Sequence, residues 1–386
     1  MSGWQTDFKL ISDLNVSYPF YPFPKFCENR RKLPCLDGLR CISILLVLLA
    51  HSQRVPGFPD SWRPITRWLP DGGFGVQVFF VISGFLITWL LMREVSRSGK
   101  IHLGAFYTRR AFRILPAYSV FLVTLFFLQR ITALEIPIKS WVGLLTYLTN
   151  FIETPWIAAH VWSLSVEEQF YLLWPFLFAL AVARTAKLRI LLALLLIPIL
   201  MSPLMRVLGY LEISPTLLGS HSFLLHADAL AFGCLTSVII STFAAKIDAF
   251  LGKHRWRLGI LTVVLVLVPL VLTRLFVFGI FTVPFGKSCF SGGIALALVL
   301  ALRFPESRWF AWLNWRVIST VGLWSYSIYL WQQIFCTSAA CYGIGLVPWW
   351  LAFLGWLAPV FVCAIVSYYG VERPFLRLKN RLSNSP

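Results

Sequence analysis

Charge is scarce in this chain. Only 13% of its 386 residues are charged, whereas 58% are hydrophobic and the mean hydropathy is +0.75. A water-soluble domain carries about 25% charged residues, which it needs for its surface. So small a charged fraction argues against a soluble fold, and the apolar surface that it implies is expected to face lipid.

Other features are also missing. The eight cysteines do not follow the spacing of metal ligands, so no metal site is expected. No Gly-x-Ser-x-Gly elbow is present and no cysteine stands beside a histidine, so nothing in the sequence demands a covalent intermediate. Residues 1–34 lack the short apolar core and the cleavage site of a signal peptide, and they resemble an aromatic, proline-rich arm.

Long apolar runs, by contrast, recur from one end of the chain to the other. Most approach the roughly 20 residues that a helix needs to cross a bilayer. The sequence therefore predicts an all-α, polytopic membrane helix bundle with about ten transmembrane helices. The predicted spans are residues 36–53, 74–92, 115–130, 162–183, 190–205, 222–245, 258–280, 285–302, 317–336 and 348–370.

The distribution of charge indicates how these spans are oriented. Lys and Arg total 34 against 16 Asp and Glu, which gives a net charge of +18. If the N-terminus is cytoplasmic, 25 of the 34 basic residues fall on cytoplasmic segments, as the positive-inside rule requires. We therefore predict that both termini are cytoplasmic, and that the positive charge reflects topology and not a nucleic-acid partner.

Ionisable residues inside the spans mark candidate sites, because a charge in lipid is costly. Arg40 and His51 lie on the first span, eleven residues apart, which on a helix is three turns plus about 20°. Both side chains therefore share one face and lie about 16 Å apart in depth. A snorkelling arginine and a histidine bonded to a neighbouring helix would fit the same pattern.

The string Trp162-Ser-Leu-Ser-Val-Glu-Glu-Gln-Phe-Tyr171 places two carboxylates, Glu167 and Glu168, at the start of a membrane helix. The positive end of the helix dipole lowers the cost of burying them there. Ser163, Glu167 and Tyr171 are spaced by four residues and share one helix face. Helix capping by one of the two glutamates is the simpler alternative.

A basic turn, formed by Arg109, Arg110 and Arg113, precedes the third span. The guanidinium fork binds two phosphate oxygens at once, although such turns also anchor membrane proteins to lipid phosphates. Farther along the chain, Ser325 and Tyr329 place hydroxyl groups on the ninth span.

Together these segments resemble the acyltransferase-3 family of integral membrane acyltransferases, which includes O-antigen and exopolysaccharide acetylases. The resemblance runs from about Leu36 to Phe375. Its motifs are Arg40 with His51, Phe79-Phe-Val-Ile-Ser-Gly-Phe85, Arg110-x-x-Arg113 and the string from Trp162 to Tyr171. The chain departs from the family at Gln77, where an acidic residue is frequent, at Gln332, where a histidine is frequent, and near His226-Ala-Asp228, where an arginine is common.

The resemblance implies an O-acyltransferase that moves an acyl group, expected to be acetyl, from coenzyme A to a hydroxyl of a carbohydrate or lipid-linked sugar. A macrolide-like acceptor is the alternative within the family. The expected location is the cell (inner) membrane. Residues 35–375 would form the transmembrane acyltransferase domain, between a cytoplasmic arm, residues 1–34, and a cytoplasmic tail, residues 376–386.

The resemblance also suggests residue roles. His51 would accept the hydroxyl proton, Glu167 would orient His51 or bind the acceptor, and Arg40 would pair with the donor or stabilise the oxyanion. The phosphates of coenzyme A would bind Arg109, Arg110 and Arg113, and the substrate would contact Ser163, Glu168, Tyr171, Ser325 and Tyr329. On the buried charges alone, a transporter or flippase remains an alternative to an enzyme.

Overall fold

The computed structural model describes residues 33, 35–66, 72–183, 187–213 and 221–383. The predicted N-terminal arm lies outside the described residues except for residue 33, and so do the last three residues of the predicted tail. The described residues form helices and connecting turns without any strand, which confirms the predicted all-α fold for this part of the chain.

Twelve helices of nine residues or more organise the described part of the chain. They are α1 (Leu36–Ser52), α2 (Gly72–Ser98), α3 (Leu103–Ile131), α4 (Ile138–Thr146), α5 (Val161–Val182), α6 (Lys187–Tyr210), α7 (Ala227–Thr242), α8 (Ala244–Arg274), α9 (Lys287–Arg303), α10 (Arg316–Phe335), α11 (Leu357–Ser367) and α12 (Arg373–Ser383).

Five helical segments of the described residues are long and apolar enough to cross a membrane. They are α2, α3, α6 from residue 188 onward, α8, and the segment Gly279–Arg303 that contains α9. The chain is therefore a membrane protein by helix length and composition. The count of ten spans and the cytoplasmic location of both termini stay predictions.

The central helix is α2, because 78% of its most apolar window is buried by the rest of the protein. Its close approach to α7 depends on glycine. A Cβ at Gly84 would collide with the carbonyl of Leu230, and one at Gly233 would collide with the carbonyl of Val81. The α1 helix also packs on α2, where Ser43 donates a hydrogen bond to the carbonyl of Gly75. These contacts fix the face of α1 that carries Arg40 and His51.

The α8 helix lies at the periphery, since only 11% of its most apolar window is buried. Ile260, Val263 and Leu267 are more than half exposed. Exposed aliphatic side chains on a long apolar segment are stable only against an apolar surrounding. We therefore expect the apolar part of this helix, which follows Arg257, to face lipid.

A buried ion pair joins α6 to α7. Arg206, which directly follows the predicted span 190–205, lies within α6 and is only 8% exposed. One of its terminal nitrogens lies 2.5 Å from a carboxylate oxygen of the fully buried Asp228 on α7. The Oγ of Ser288 donates a hydrogen bond of 2.6 Å to the same carboxylate. No arginine lies near Asp228 in the sequence, and the fold supplies one from α6.

Candidate active site

A cavity of about 380 Å³ lies among α1, α2, α3, α5 and α10. Most of the residues singled out from the sequence meet in its wall. They are Arg40, Arg110, Arg113, Ser163, Glu167, Glu168, Tyr171, Ser325 and Tyr329. These residues come from four helices and from positions almost 290 residues apart in the chain. We call this space the central cavity.

Glu167 is held by the α2 helix. The Oγ of Ser83 donates a hydrogen bond of 2.5 Å to one of its carboxylate oxygens. Tyr171, one turn farther along α5, donates a hydrogen bond of 3.0 Å to Ser83. The guanidinium of Arg110 lies over the ring of Tyr171, 4.3 Å from its centre. Glu167 and Arg110 therefore face the same cavity, and Tyr171 contacts both Arg110 and the serine that binds Glu167.

Arg40 reaches the cavity from α1. Its guanidinium lies 3.8 Å from the carboxylate of Asp37, one turn earlier on the same helix, and the side chain of Arg40 is 18% exposed. This separation is at the long end of an ion pair, so most of the hydrogen-bonding capacity of Arg40 is left for another partner.

His51 is not among the residues that line the central cavity. It lies near the opposite end of α1, where its Nδ1 is 2.6 Å from the Oε1 of Gln332 on α10. The imidazole meets the half-buried Trp156 edge-on, with 5.1 Å between ring centres. Gly72, the first residue of α2, leaves room beside the other nitrogen, because a Cβ there would lie 3.6 Å from Nε2. The partner that orients His51 is therefore Gln332 and not Glu167.

A second histidine, His160, was not recognised in the sequence as a candidate. It is 2% exposed and lies immediately before α5. The Oε1 of Gln333 accepts a hydrogen bond of 3.0 Å from the backbone N–H of His160 and also lies 2.7 Å from its Nδ1. Because Oε1 only accepts, Nδ1 must carry the proton. Nε2 of His160 is buried on the other side of the ring.

Hydroxyl groups connect His160 to the central cavity. Tyr329 donates a hydrogen bond of 2.9 Å to the backbone carbonyl of His160, and the Oγ of Ser163 lies 2.6 Å from the same phenol oxygen. Ser163 and Tyr329 both line the cavity. Since Gln332 and Gln333 are neighbours on α10, the two histidine sites and the cavity wall are joined through one helix. The signal in the sequence was the position of His160, two residues before the Trp162 string.

Glu372, which the sequence analysis did not identify as a candidate, also lines the central cavity. It is 5% exposed, ends the π-helical turn Tyr368–Glu372, and accepts a hydrogen bond from Ser327. Turns of this kind interrupt α-helices at functional sites more often than elsewhere. The C-terminal end of the predicted transmembrane domain is therefore part of the cavity wall.

The contacts of Arg109 differ from those of Arg110 and Arg113. It does not line the central cavity, and it forms an ion pair of 3.0 Å with Glu94 near the end of α2. As to metals, the described part of the chain contains no group of three or more His, Cys, Asp or Glu residues that could hold an ion.

Comparison with known proteins agrees with the motifs. The sequence profile of the acyltransferase-3 family, described as an acyltransferase domain, matches residues 33–369. Similar proteins include the O-acetyltransferase OatA of Staphylococcus aureus, in strains NCTC 8325 / PS 47, COL and MRSA252. Each is 28% identical over 369 residues, which cover 89% of this chain and 57% of the relative. The chain therefore spans little more than half the length of these relatives. No solved structure matches.

Proposed function

This chain belongs to the acyltransferase-3 family, and on that premise we propose that it is an integral membrane O-acyltransferase of the cell (inner) membrane. The donor is an acyl-coenzyme A, with acetyl as the expected acyl group. The acceptor is a hydroxyl of a carbohydrate or of a lipid-linked sugar. The names of the relatives, which are O-acetyltransferases, support the reaction class.

The observation that carries this proposal is the composition of the central cavity. Three arginines, Arg40, Arg110 and Arg113, and four carboxylates meet in one space within a membrane protein. The carboxylates are those of Asp37, Glu167, Glu168 and Glu372. Charged side chains within the membrane-spanning part of a protein are costly, and they occur mainly where they bind a polar ligand or line its path. A cavity of this size lies in the range of small-molecule sites, which is about 300–1,000 Å³.

We assign the donor to the end of the cavity that Arg110 and Arg113 line. Guanidinium groups bind phosphate oxygens in pairs and keep their charge at any physiological pH. Arg40 belongs to the same end, because it precedes His51 by eleven positions and so lies about 16 Å from His51 along the helix axis. In this arrangement Arg40 pairs with the donor, and an oxyanion formed beside His51 needs another partner.

We assign the general base to His51. With Nδ1–H donating to Gln332, the lone pair of Nε2 accepts the proton of the acceptor hydroxyl. The hydroxyl oxygen attacks the thioester carbonyl carbon, the new ester C–O bond forms and the C–S bond breaks. The proton that His51 has taken then passes to the departing thiolate. The acyl end of the donor would reach His51 past Ser163 and Tyr329.

Purified protein in nanodiscs with acetyl-CoA tests this proposal. Thermal stabilisation reports donor binding, and release of free thiol reports transfer to water or acceptor. We expect His51→Ala to keep the stabilisation and lose thiol release, and Arg110→Ala/Arg113→Ala to lose both. Arg130→Ala is the matched control, because Arg130 lies at the other end of α3 and stacks on Phe126.

The opposite result is equally informative. If the wild-type protein neither binds nor cleaves acetyl-CoA or longer acyl-CoAs, the acyltransferase assignment fails, and transport becomes the leading explanation of the buried charges. If His51→Ala turns over normally, the base is another residue, and His160 is the first to examine.

A further inference from the structure

A second cavity, of about 480 Å³, lies between the end of α2 and the start of α3. Five arginines line it: Arg93 and Arg97 from α2, and Arg109, Arg110 and Arg113 from α3. Sequence analysis identified the three from α3 only, because the two from α2 are ordinary members of a basic segment after a span. We call this space the arginine cavity.

The positive charge of the arginine cavity is not balanced from within. Glu94 is the one carboxylate in its lining, and its oxygens are already occupied. Arg109 lies 3.0 Å from one oxygen, and the backbone N–H of His102 donates a hydrogen bond of 3.0 Å to the other. Glu94 therefore fixes Arg109. Arg110 and Arg113 also face the carboxylates of the central cavity, so Arg93 and Arg97 are the two arginines of this lining that face it without a carboxylate. Such an excess of guanidinium groups is suited to a ligand with several negative charges.

The two cavities share part of their walls. Arg110 and Arg113 line both, so a long ligand can extend from one cavity to the other past their guanidinium groups. The stack on Tyr171 fixes Arg110, and its Nε has no hydrogen-bond partner among the described residues. A buried donor without a partner is costly, and a phosphate oxygen would satisfy it.

We propose that the arginine cavity binds the nucleotide end of the acyl donor, and that Arg93 and Arg97 contact the phosphomonoester on its ribose. The acyl-bearing arm then runs into the central cavity between Arg110 and Arg113. This inference rests on the proposed function and adds a subsite to it. A phosphomonoester carries between one and two negative charges near neutral pH and offers three oxygens to arginine forks. The phosphate of an anionic lipid headgroup offers the same chemistry, so the experiment must separate the two sources.

The test compares acetyl-CoA with acetyl-dephospho-CoA, which lacks that phosphate, using the full chain in phosphatidylcholine nanodiscs. For the wild type we expect a KM at least about tenfold higher for the dephospho donor, with similar kcat, since one charge-assisted contact is worth about that factor. Arg93→Gln/Arg97→Gln should raise the KM for acetyl-CoA by a similar factor and bring the ratio of the two KM values close to one.

Two controls make the result specific. Arg308→Gln/Arg316→Gln removes the same charge from another basic segment, and Arg308 lies over Trp309 much as Arg93 lies over Trp89. This control should keep the wild-type ratio. Should the double variant in the cavity fold poorly, Arg97→Gln alone serves, because Arg97 is exposed and its loss leaves the helix packing intact. Wild-type KM values for both donors in the cavity variants would overturn the proposal while leaving the proposed function in place.

Binding of adenosine 3′,5′-bisphosphate, followed by calorimetry, separates the subsite from catalysis. Binding that depends on Arg93 and Arg97 supports the subsite even if thiol release fails, in which case the proposed function alone falls. If the bisphosphate does not bind, but phosphatidylglycerol in the nanodisc stabilises the wild type and not the variant, the phosphate belongs to lipid and the donor subsite is refuted. If neither ligand discriminates between the wild type and the variant, the proposal is also refuted.

Discussion

His51 and His160 are each held at Nδ1 by a glutamine, and the two glutamines are neighbours on α10. A donor hydrogen bond from Nδ1 leaves the lone pair of Nε2 exposed to its surroundings, which is the form that a general base requires. The environments of the two Nε2 atoms differ. The Nε2 atom of His51 borders the space beside Gly72, whereas the Nε2 atom of His160 is buried. The structure therefore favours His51 as the residue that meets an incoming hydroxyl.

Replacing Gln332 tests how much His51 depends on its partner. We expect Gln332→Leu to lower kcat for thiol release by about tenfold, since one hydrogen bond that fixes the tautomer is lost. Tm should fall only slightly, because the one group that loses its partner is the Nδ1 of His51, whose side chain is partly exposed. Gln333→Leu is the contrast. It should lower Tm, because the buried backbone N–H of His160 would be left unpaired. An unchanged kcat in Gln332→Leu would contradict the assigned orientation.

Gly72 tests the space beside the base. A methyl group there would lie 3.6 Å from Nε2 of His51 and 3.5 Å from Cβ of Ala50, which is ordinary contact. We expect Gly72→Ala to leave Tm nearly unchanged and to reduce turnover at least tenfold, because the acceptor oxygen must occupy that space. Gly104→Ala, with nothing within 4 Å, is the control. Normal turnover in Gly72→Ala would mean that the acceptor approaches His51 from another side.

Among the helices, the approach of α2 to α7 sets the position of Ser83, and through it the position of Glu167. We expect Gly84→Ala to destabilise the protein by about 1–3 kcal/mol, as overpacking does. Activity should fall with it, since Ser83 is the preceding residue. Gly259→Ala on α8 has open space around it and should be neutral or stabilise by up to about 1 kcal/mol. Thermal unfolding in detergent measures both, and equal Tm values for the two variants would rule out the close packing.

A second link between helices is the ion pair of Arg206 on α6 with Asp228 on α7. Breaking a buried pair by removing one partner costs about 3–5 kcal/mol, because the other charge remains buried and unpaired. We therefore expect Arg206→Met to lower Tm strongly. Arg206→Met/Asp228→Asn should recover part of the loss, since no uncompensated charge remains. A double variant that is less stable than Arg206→Met would show that the pair does more than neutralise charge.

For the whole molecule, the open question is topology. Positive residues predict that both ends of the chain are cytoplasmic. We expect a C-terminal green fluorescent protein fusion to fluoresce in cells, and an alkaline phosphatase fusion after Asp60 to be active outside the cytoplasm. If the phosphatase is inactive when fused after Asp60 and active when fused at the C-terminus, the orientation is opposite to the predicted one.

The periodicity and composition of the sequence determined the fold class of the whole molecule and the faces of single helices. An apolar run has one stable form in lipid, because the backbone must satisfy its own hydrogen bonds, so the all-α fold followed from the sequence alone. The shared helix face of Ser163, Glu167 and Tyr171 followed from a spacing of four residues. Their meeting with Arg110 and Tyr329 did not, because contacts between distant helices depend on packing that no local pattern encodes.

Tertiary structure decided the rest. Gln332 had been noted only as a departure from the family pattern, yet it orients His51. Asp228 has no arginine near it in the sequence, yet Arg206 reaches it from α6. In the sequence, Arg93 and Arg97 are ordinary basic residues after a span. In the structure they line one cavity with the arginines of α3, because the end of α2 lies beside α3. In each case the sequence determined which groups would be costly to bury, and the packing of helices determined which partner made that burial possible.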